Sequence, residues 1–267
     1  MKILHRYAFN VTSEIRQKLS SIGIEIDIPD EEIEVLYVDE SDKNLQFIEA
    51  TLKASDITPF IETEFTKNEI LQANACNIYS NWHNGYPEPS DDFGYLEETF
   101  DLKDYCEECG CGLKQKAPFL IKGEPKWGRR SMFSLNWEYS NFFVKPGIWD
   151  FLFKPFGIDC LPVLHYKKRT KLSSVVQLLL PEPTVIVDVS ELEVSKCESC
   201  GRSKAEAAGN KGGYFPKIIE GELNVVAKTK NYFGSGGSAW HEIIIGAELV
   251  KKIHASGIKG IEFAPLS

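Results

Sequence analysis

Two distant pairs of cysteines constrain this chain more than any other feature: Cys106-Glu107-Glu108-Cys109-Gly110 and Cys197-Glu198-Ser199-Cys200-Gly201. A Cys-x-x-Cys turn sets two thiolates close enough to share one ion. The glycine behind it supplies the positive φ that swings backbone N–H groups toward the sulfurs. Two such knuckles make a four-thiolate metal site from Cys106, Cys109, Cys197 and Cys200. Zinc suits a tetrahedral sulfur set best, although an iron–sulfur cluster uses the same ligands. Four cysteines also fill the coordination sphere, so the ion is expected to be structural rather than catalytic.

Two other readings of the pairs stay open: reduced turns with no ion, and redox work. A redox Cys-x-x-Cys wants the start of a helix, whose N-terminus lowers a thiol pKa. The residues after the first pair, Cys111-Gly112-Leu113-Lys114-Gln115-Lys116-Ala117-Pro118, are too rich in glycine and proline to open one. The 87 residues between Cys109 and Cys197 far exceed the usual spacing in a zinc ribbon, so the intervening segment has to fold back.

An odd total of seven cysteines, with no secretion signal, points to a reducing compartment, and the chain is read as cytoplasmic. Met1-Lys2-Ile3-Leu4-His5-Arg6 has no continuous apolar run, and no stretch approaches the roughly 20 apolar residues of a membrane span. Cys76 and Cys160 are expected to pack as small apolar residues, with Cys111 as a spare ligand.

The formal net charge of -9 conceals an asymmetry. Met1 to Tyr105 carries 8 basic and 22 acidic residues, whereas Lys114 to Lys171 carries 12 basic and 4 acidic. Either the two segments face each other within the fold, or one of them is a partner surface.

Along the chain, the pattern predicts an α+β protein. An N-terminal domain over residues 1–95 opens with a strand from Lys2 to Phe9 and a helix capped by Thr12 or Ser13 and ended by Gly23. Then come a strand from Glu32 to Val38, a helix capped by Ser41, and a strand from Pro59 to Phe65. The capping box Thr66-Lys67-Asn68-Glu69 opens a helix from Lys67 to Ala75. No glycine-rich phosphate loop joins any strand to its helix. From Asn77 to Asp104 the composition reads as a long connection carrying Trp82, His83, Tyr86, Asp91 and Asp92, either packed over the core or lining a binding surface.

The double-knuckle domain then spans residues 96–267, with two pseudo-repeat units at about 106–166 and 197–267. A shift of 103 residues places Trp137 on Trp240, Gly157 on Gly260, Ile158 on Ile261 and Pro162 on Pro265. Each copy runs knuckle, strand, tryptophan, helix, Gly-Ile strand and proline. The copies are thus expected to be related strand-helix-strand units joined at a shared zinc-ribbon-like site. Between them, Ser173 to Leu180 and Thr184 to Val189 are β-forming, expected to extend the first copy's sheet.

Candidates for catalysis are sparse, and none is assigned. His83, His165, His241 and His254 are scattered, with no His-Glu-x-x-His, Gly-x-Ser-x-Gly or paired-carboxylate motif. His241-Glu242 follows the loop Gly234-Ser235-Gly236-Gly237-Ser238, which is either a ligand or phosphate site or a mobile hairpin. Lys126, Trp127, Arg129, Arg130, Lys167, Lys168 and Arg169 mix cations with an aromatic as nucleic-acid binders do, but the sequence pI near 5.2 opposes unspecific affinity for phosphate.

Both knuckles, with Gly260-Ile261-Glu262-Phe263-Ala264-Pro265-Leu266, Phe65-Thr66-Lys67-Asn68-Glu69-Ile70 and Tyr232-Phe233-Gly234-Ser235-Gly236, give the chain a resemblance. It resembles a bacterial group of uncharacterised proteins carrying a double Cys-x-x-Cys-Gly motif, related to immunity proteins of polymorphic toxin systems. The resemblance covers Thr66 to the end and implies a neutralising, protein-binding role, with a toxin domain as partner. It carries over the four cysteines and no catalytic residue. The sequence reading is therefore a non-enzymatic, zinc-stabilised protein-binding module, with nucleic-acid binding and an unidentified enzyme activity as alternatives.

Overall fold

The computed structural model describes all 267 residues, which divide into two compact units. Residues 1–66 and 208–213 form the first, and residues 67–207 and 214–267 the second. The division falls at Thr66 rather than at residue 95, because the segment after Thr66 supplies a strand to the second unit's largest sheet.

The first unit is a three-stranded antiparallel sheet under two helices. Strands β1 (Lys2–Asn10), β2 (Ile33–Asp39) and β3 (Phe60–Glu64) lie in the order β2-β1-β3. Alternation along β1 sends Tyr7 and Phe9 inward, where they pack with Ile15 and Leu19 of helix α1 (Ser13–Ser20) and Ile48 and Leu52 of helix α2 (Leu45–Lys53). Thr12 caps α1 as expected, its hydroxyl accepting from Ile15 N at 3.2 Å. Ser41 does not cap α2: its hydroxyl donates to Asp39 at 2.6 Å, and the helix begins after Asn44. The other sheet face carries no helix and leaves Ile33, Val35, Tyr37 and Phe60 exposed. The stretch 208–213 joins this unit because Gly212, at φ +75°, lies where an added Cβ would stand 2.8 Å from Ile61 and 3.1 Å from Ile3.

In the second unit, the helix Lys67–Gln72 stops short of Ala75, and Ala75–Ser80 is a strand flanked on both sides rather than loop. The pattern concealed it because Asn77 interrupts the apolar run. That side chain is buried and donates to Glu242 Oε2 at 2.9 Å and the Ile243 carbonyl at 3.1 Å.

Two sheets follow. In the five-stranded one, Phe143–Val144 leads through a helical segment over 146–156 to Cys160–His165, and both strands run antiparallel to Lys171–Leu178 between them. In the six-stranded one, Ile243–Gly246 leads through the helix Ala247–Ser256 to Ile261–Pro265, and Ala75–Ser80 lies between. Gly157 and Gly257 end the two helical segments at φ +74° and +65°. Gly257, not Gly260, therefore matches Gly157, and the cap equivalence lies 100 residues apart rather than 103. Pro183–Val187 pairs within the second sheet, not the first. One hydrophobic core joins the sheets, with Phe142, Val144, Leu152, Phe153 and Val176 meeting Ile78, Ile243, Leu249, Val250 and Ile253. No helix is long and apolar enough to cross a membrane.

Candidate metal centre

Each knuckle sits in a hairpin. The strands Phe100–Asp101 and Lys114–Gln115 flank the first, and Val194–Lys196 and Ser203–Ala205 the second. The turns repeat bond for bond. Gly110 N donates to Cys106 O at 2.8 Å and Cys106 N to Cys111 O at 2.9 Å; Gly201 N donates to Cys197 O and Cys197 N to Arg202 O, both at 2.9 Å. Gly110 and Gly201 have φ +78° and +72°, the left-handed conformation expected of them.

The chain does fold back between the knuckles. Cys106 Sγ lies 3.8 Å from Cys197 Sγ, and Cys109 Sγ 3.6 Å from Cys200 Sγ. All four sulfurs lie within 4.8 Å of one another, a group that could hold a metal ion. These separations far exceed the roughly 2.05 Å of a disulfide, and all seven cysteines are free thiols. Cys109 is buried and the other three are half-buried.

Backbone electrostatics prepare the set unevenly. The Cys109 N–H directed at Cys106 brings that thiol down to about 7, whereas burial pushes Cys109 up to about 11. One thiolate thus forms readily near neutral pH, and a cation favours loss of the remaining protons. Neither knuckle opens a helix, so the arrangement suits ion binding better than redox exchange. Cys111 is fully buried and stands outside the four-sulfur group, and Cys76 is a core residue whose thiol burial raises to about 12.

Cations close the back of the centre. Lys204 is almost fully buried, and its ammonium donates to the carbonyls of Cys109 at 2.9 Å, Gly236 at 2.7 Å and Ser238 at 2.9 Å. Arg202 donates to the carbonyls of Asp104 at 2.6 Å and Cys111 at 3.2 Å. The 234–238 loop is thus strapped to the first knuckle. A Cβ on Gly110 would stand 2.4 Å from Gly237 O, so the two backbones touch. The oligoglycine stretch 234–237, which permits such close approach, is the sequence signal for the strap.

The other sequence candidates disperse. His241 Nδ1 lies 3.2 Å from the Asn231 carbonyl, His83 packs on Tyr139, and the histidines join no metal-binding group. Of the basic segment, Trp127 packs on Trp82 and Phe133 while its indole N–H donates to Ser174 O at 3.1 Å, so its ring is engaged within the fold. Arg130 lies over the Trp82 ring, and Arg169 pairs with Glu98. Of the Asn77 to Asp104 stretch, Trp82 is half-buried, whereas Tyr86 and Phe93 stay exposed against Trp137, at ring separations of 4.5 and 4.8 Å. Comparison of the chain with protein-family models, curated proteins and solved structures gives no match.

Proposed function

We propose that this is a zinc-stapled, non-enzymatic binding protein whose partner is a basic protein, such as a nucleic-acid-cleaving toxin domain that it neutralises. A tetrahedron of sulfurs about 2.3 Å from zinc has edges of about 3.8 Å. Cys106–Cys197 at 3.8 Å and Cys109–Cys200 at 3.6 Å fit such edges. Zinc would hold the knuckles together and contribute on the order of 10 kcal/mol to folding. The matching knuckles and helix caps support the reading of the second unit as two related strand-helix-strand halves stapled at that ion, as in the double Cys-x-x-Cys-Gly group.

One observation carries the binding role: the uncovered face of the first unit's sheet. Ile33 is 70% exposed, and Tyr37 and Phe60 are each 54% exposed. Solvated sheet faces are ordinarily polar, and contiguous exposed apolar residues mark interaction surfaces. Residues 1–66 carry 6 basic and 14 acidic side chains, and Asp39, Glu62 and Glu64 lie in register beside the apolar residues. Arg6 stands between Tyr37 and Phe60 on this face and pairs with Glu62 at 3.2 Å, so the apolar residues are set in surroundings that are acidic on balance, which complements a basic protein.

The test is co-expression with basic nuclease toxin domains, any encoded beside the gene first, with cell survival and calorimetric binding as readouts. Tyr37→Ser with Phe60→Ser should abolish protection and binding while leaving melting and metal content unchanged, since neither side chain belongs to the buried core. Unchanged protection by the double variant, or failure of the parent chain to bind and protect, would refute the role.

A further inference from the structure

The second unit contains a cavity of about 570 Å³ between its two larger sheets and the first knuckle. That volume lies within the range of small-molecule sites. A chain of side-chain hydrogen bonds runs along its wall and ends at Glu138. Gln115 and Gln177 exchange amide bonds at 2.9 and 2.7 Å; Gln177 Nε2 donates to Asn141 Oδ1 at 3.0 Å, and Asn141 Nδ2 to Glu138 Oε1 at 3.1 Å. Ser140 N adds a second donor to the same Glu138 oxygen at 3.0 Å. Glu138 is only 7% exposed, and its Oε2 takes no donor from the protein.

Lys228 lines the same cavity and is half-buried. Burial raises the Glu138 carboxyl and lowers the Lys228 ammonium; each opposes the other's shift by Coulomb attraction, and Glu182 in the cavity lining also opposes that of Lys228, yet no ion-pair contact joins Lys228 to either acid. Lys230, at the same cavity, is engaged with Glu220 at 3.5 Å. A desolvated acid and a desolvated base facing one space unpaired are each destabilising. A ligand of one charge would satisfy one of them and leave the other stranded. Beyond the charges, Leu161, Leu179, Leu180 and Trp240 give the cavity an apolar side.

We propose that this cavity binds a free α-amino acid with a sizeable apolar side chain. Its ammonium lies at Glu138 Oε2, its carboxylate at Lys228, and its side chain against the leucines and Trp240. The locked amides fix Glu138 in advance, so the carboxylate needs little reorganisation on binding. The site is independent of the protein-binding face.

Titration calorimetry and thermal shift on the full, metal-loaded chain test it, with L-phenylalanine and L-leucine as probes. Phenethylamine and 3-phenylpropanoate, each lacking one of the two charges, are the controls. The amino acids should bind at least tenfold more tightly than either control, and Glu138→Gln and Lys228→Met should each weaken binding at least tenfold. Circular dichroism and metal content check that the variants fold, and Lys228→Met, at a half-buried site, serves if Glu138→Gln does not. Absence of binding by both amino acids at millimolar concentration, equal binding of a control, or unchanged affinity in a folded variant would overturn the proposal.

Discussion

The ammonium of Lys204 stands 2.9 Å from the carbonyl oxygen of Cys109, and its remaining two bonds hold Gly236 and Ser238. A residue on the second knuckle's hairpin thereby ties a loop from near the C-terminus to the first knuckle. Replacing Lys204 with Met keeps the stem and deletes all three donors. Bonds to a charged donor contribute about 1.5–3 kcal/mol each, with incomplete additivity. The variant should lose about 3 kcal/mol or more in chemical denaturation, and hydrogen exchange of the 234–238 amides should quicken. Unchanged protection of that loop would contradict the strap.

Loss of one sulfur should release the ion. Cys106→Ser is expected to reduce the zinc content of protein purified without added metal to background and to lower the melting temperature by about 20 °C or more. That follows from a loss on the order of 10 kcal/mol at about 2–4 °C per kcal/mol. A strong chelator should move the parent protein toward the variant's melting curve and leave the variant where it is.

The two knuckle glycines should differ in tolerance although their dihedral angles agree. Alanine at either pays a left-handed penalty of about 1–2 kcal/mol. A Cβ at Gly201 meets open space, whereas at Gly110 it stands 2.4 Å from Gly237 O and 2.8 Å from Ala239 N. Gly110→Ala should therefore be clearly the more destabilising of the pair, as read from denaturation midpoints.

Acid should weaken the fold partly through His241. Burial holds its imidazole below the ordinary value, so between that value and the lowered one the unfolded chain binds a proton that the native state does not. Stability then falls as pH drops through about 6.5. His241→Asn should show a smaller loss of melting temperature between about pH 7 and about pH 5.5 than the parent. Metal release affects both proteins, so the difference between the two losses isolates the imidazole.

Much of the centre was legible in advance because cysteine spacing and the following glycine encode the turn locally. Residues 106, 109, 197 and 200 meet as the motif implied. The first unit's strands were legible too, since β1 alternates cleanly. What escaped depends on partners distant in sequence. Ala75–Ser80 reads as a strand only beside Ile243–Gly246, which satisfies Asn77. The buried Glu138 looks like any surface acid until Ser140 N and Asn141 donate to it and Gln177 holds Asn141 in place. The repeat register drifted because four identities in 27 positions weigh tryptophans and prolines equally with the helix-ending glycines that set the geometry.

The fifth strand of the six-stranded sheet, Ala75–Ser80, is made early, while both strands that flank it, Ile243–Gly246 and Ile261–Pro265, are made more than 160 residues later. Its counterpart in the other sheet, Lys171–Leu178, follows its own neighbours within a few dozen residues. During synthesis the first sheet can therefore close while the ribosome still holds the rest. The second must keep an open apolar edge in waiting, with the slow kinetics that long loop closure imposes. Closure of that sheet is thus gated by residues 243–265, and the thiol clasp at 197 and 200 becomes available before that gate shuts.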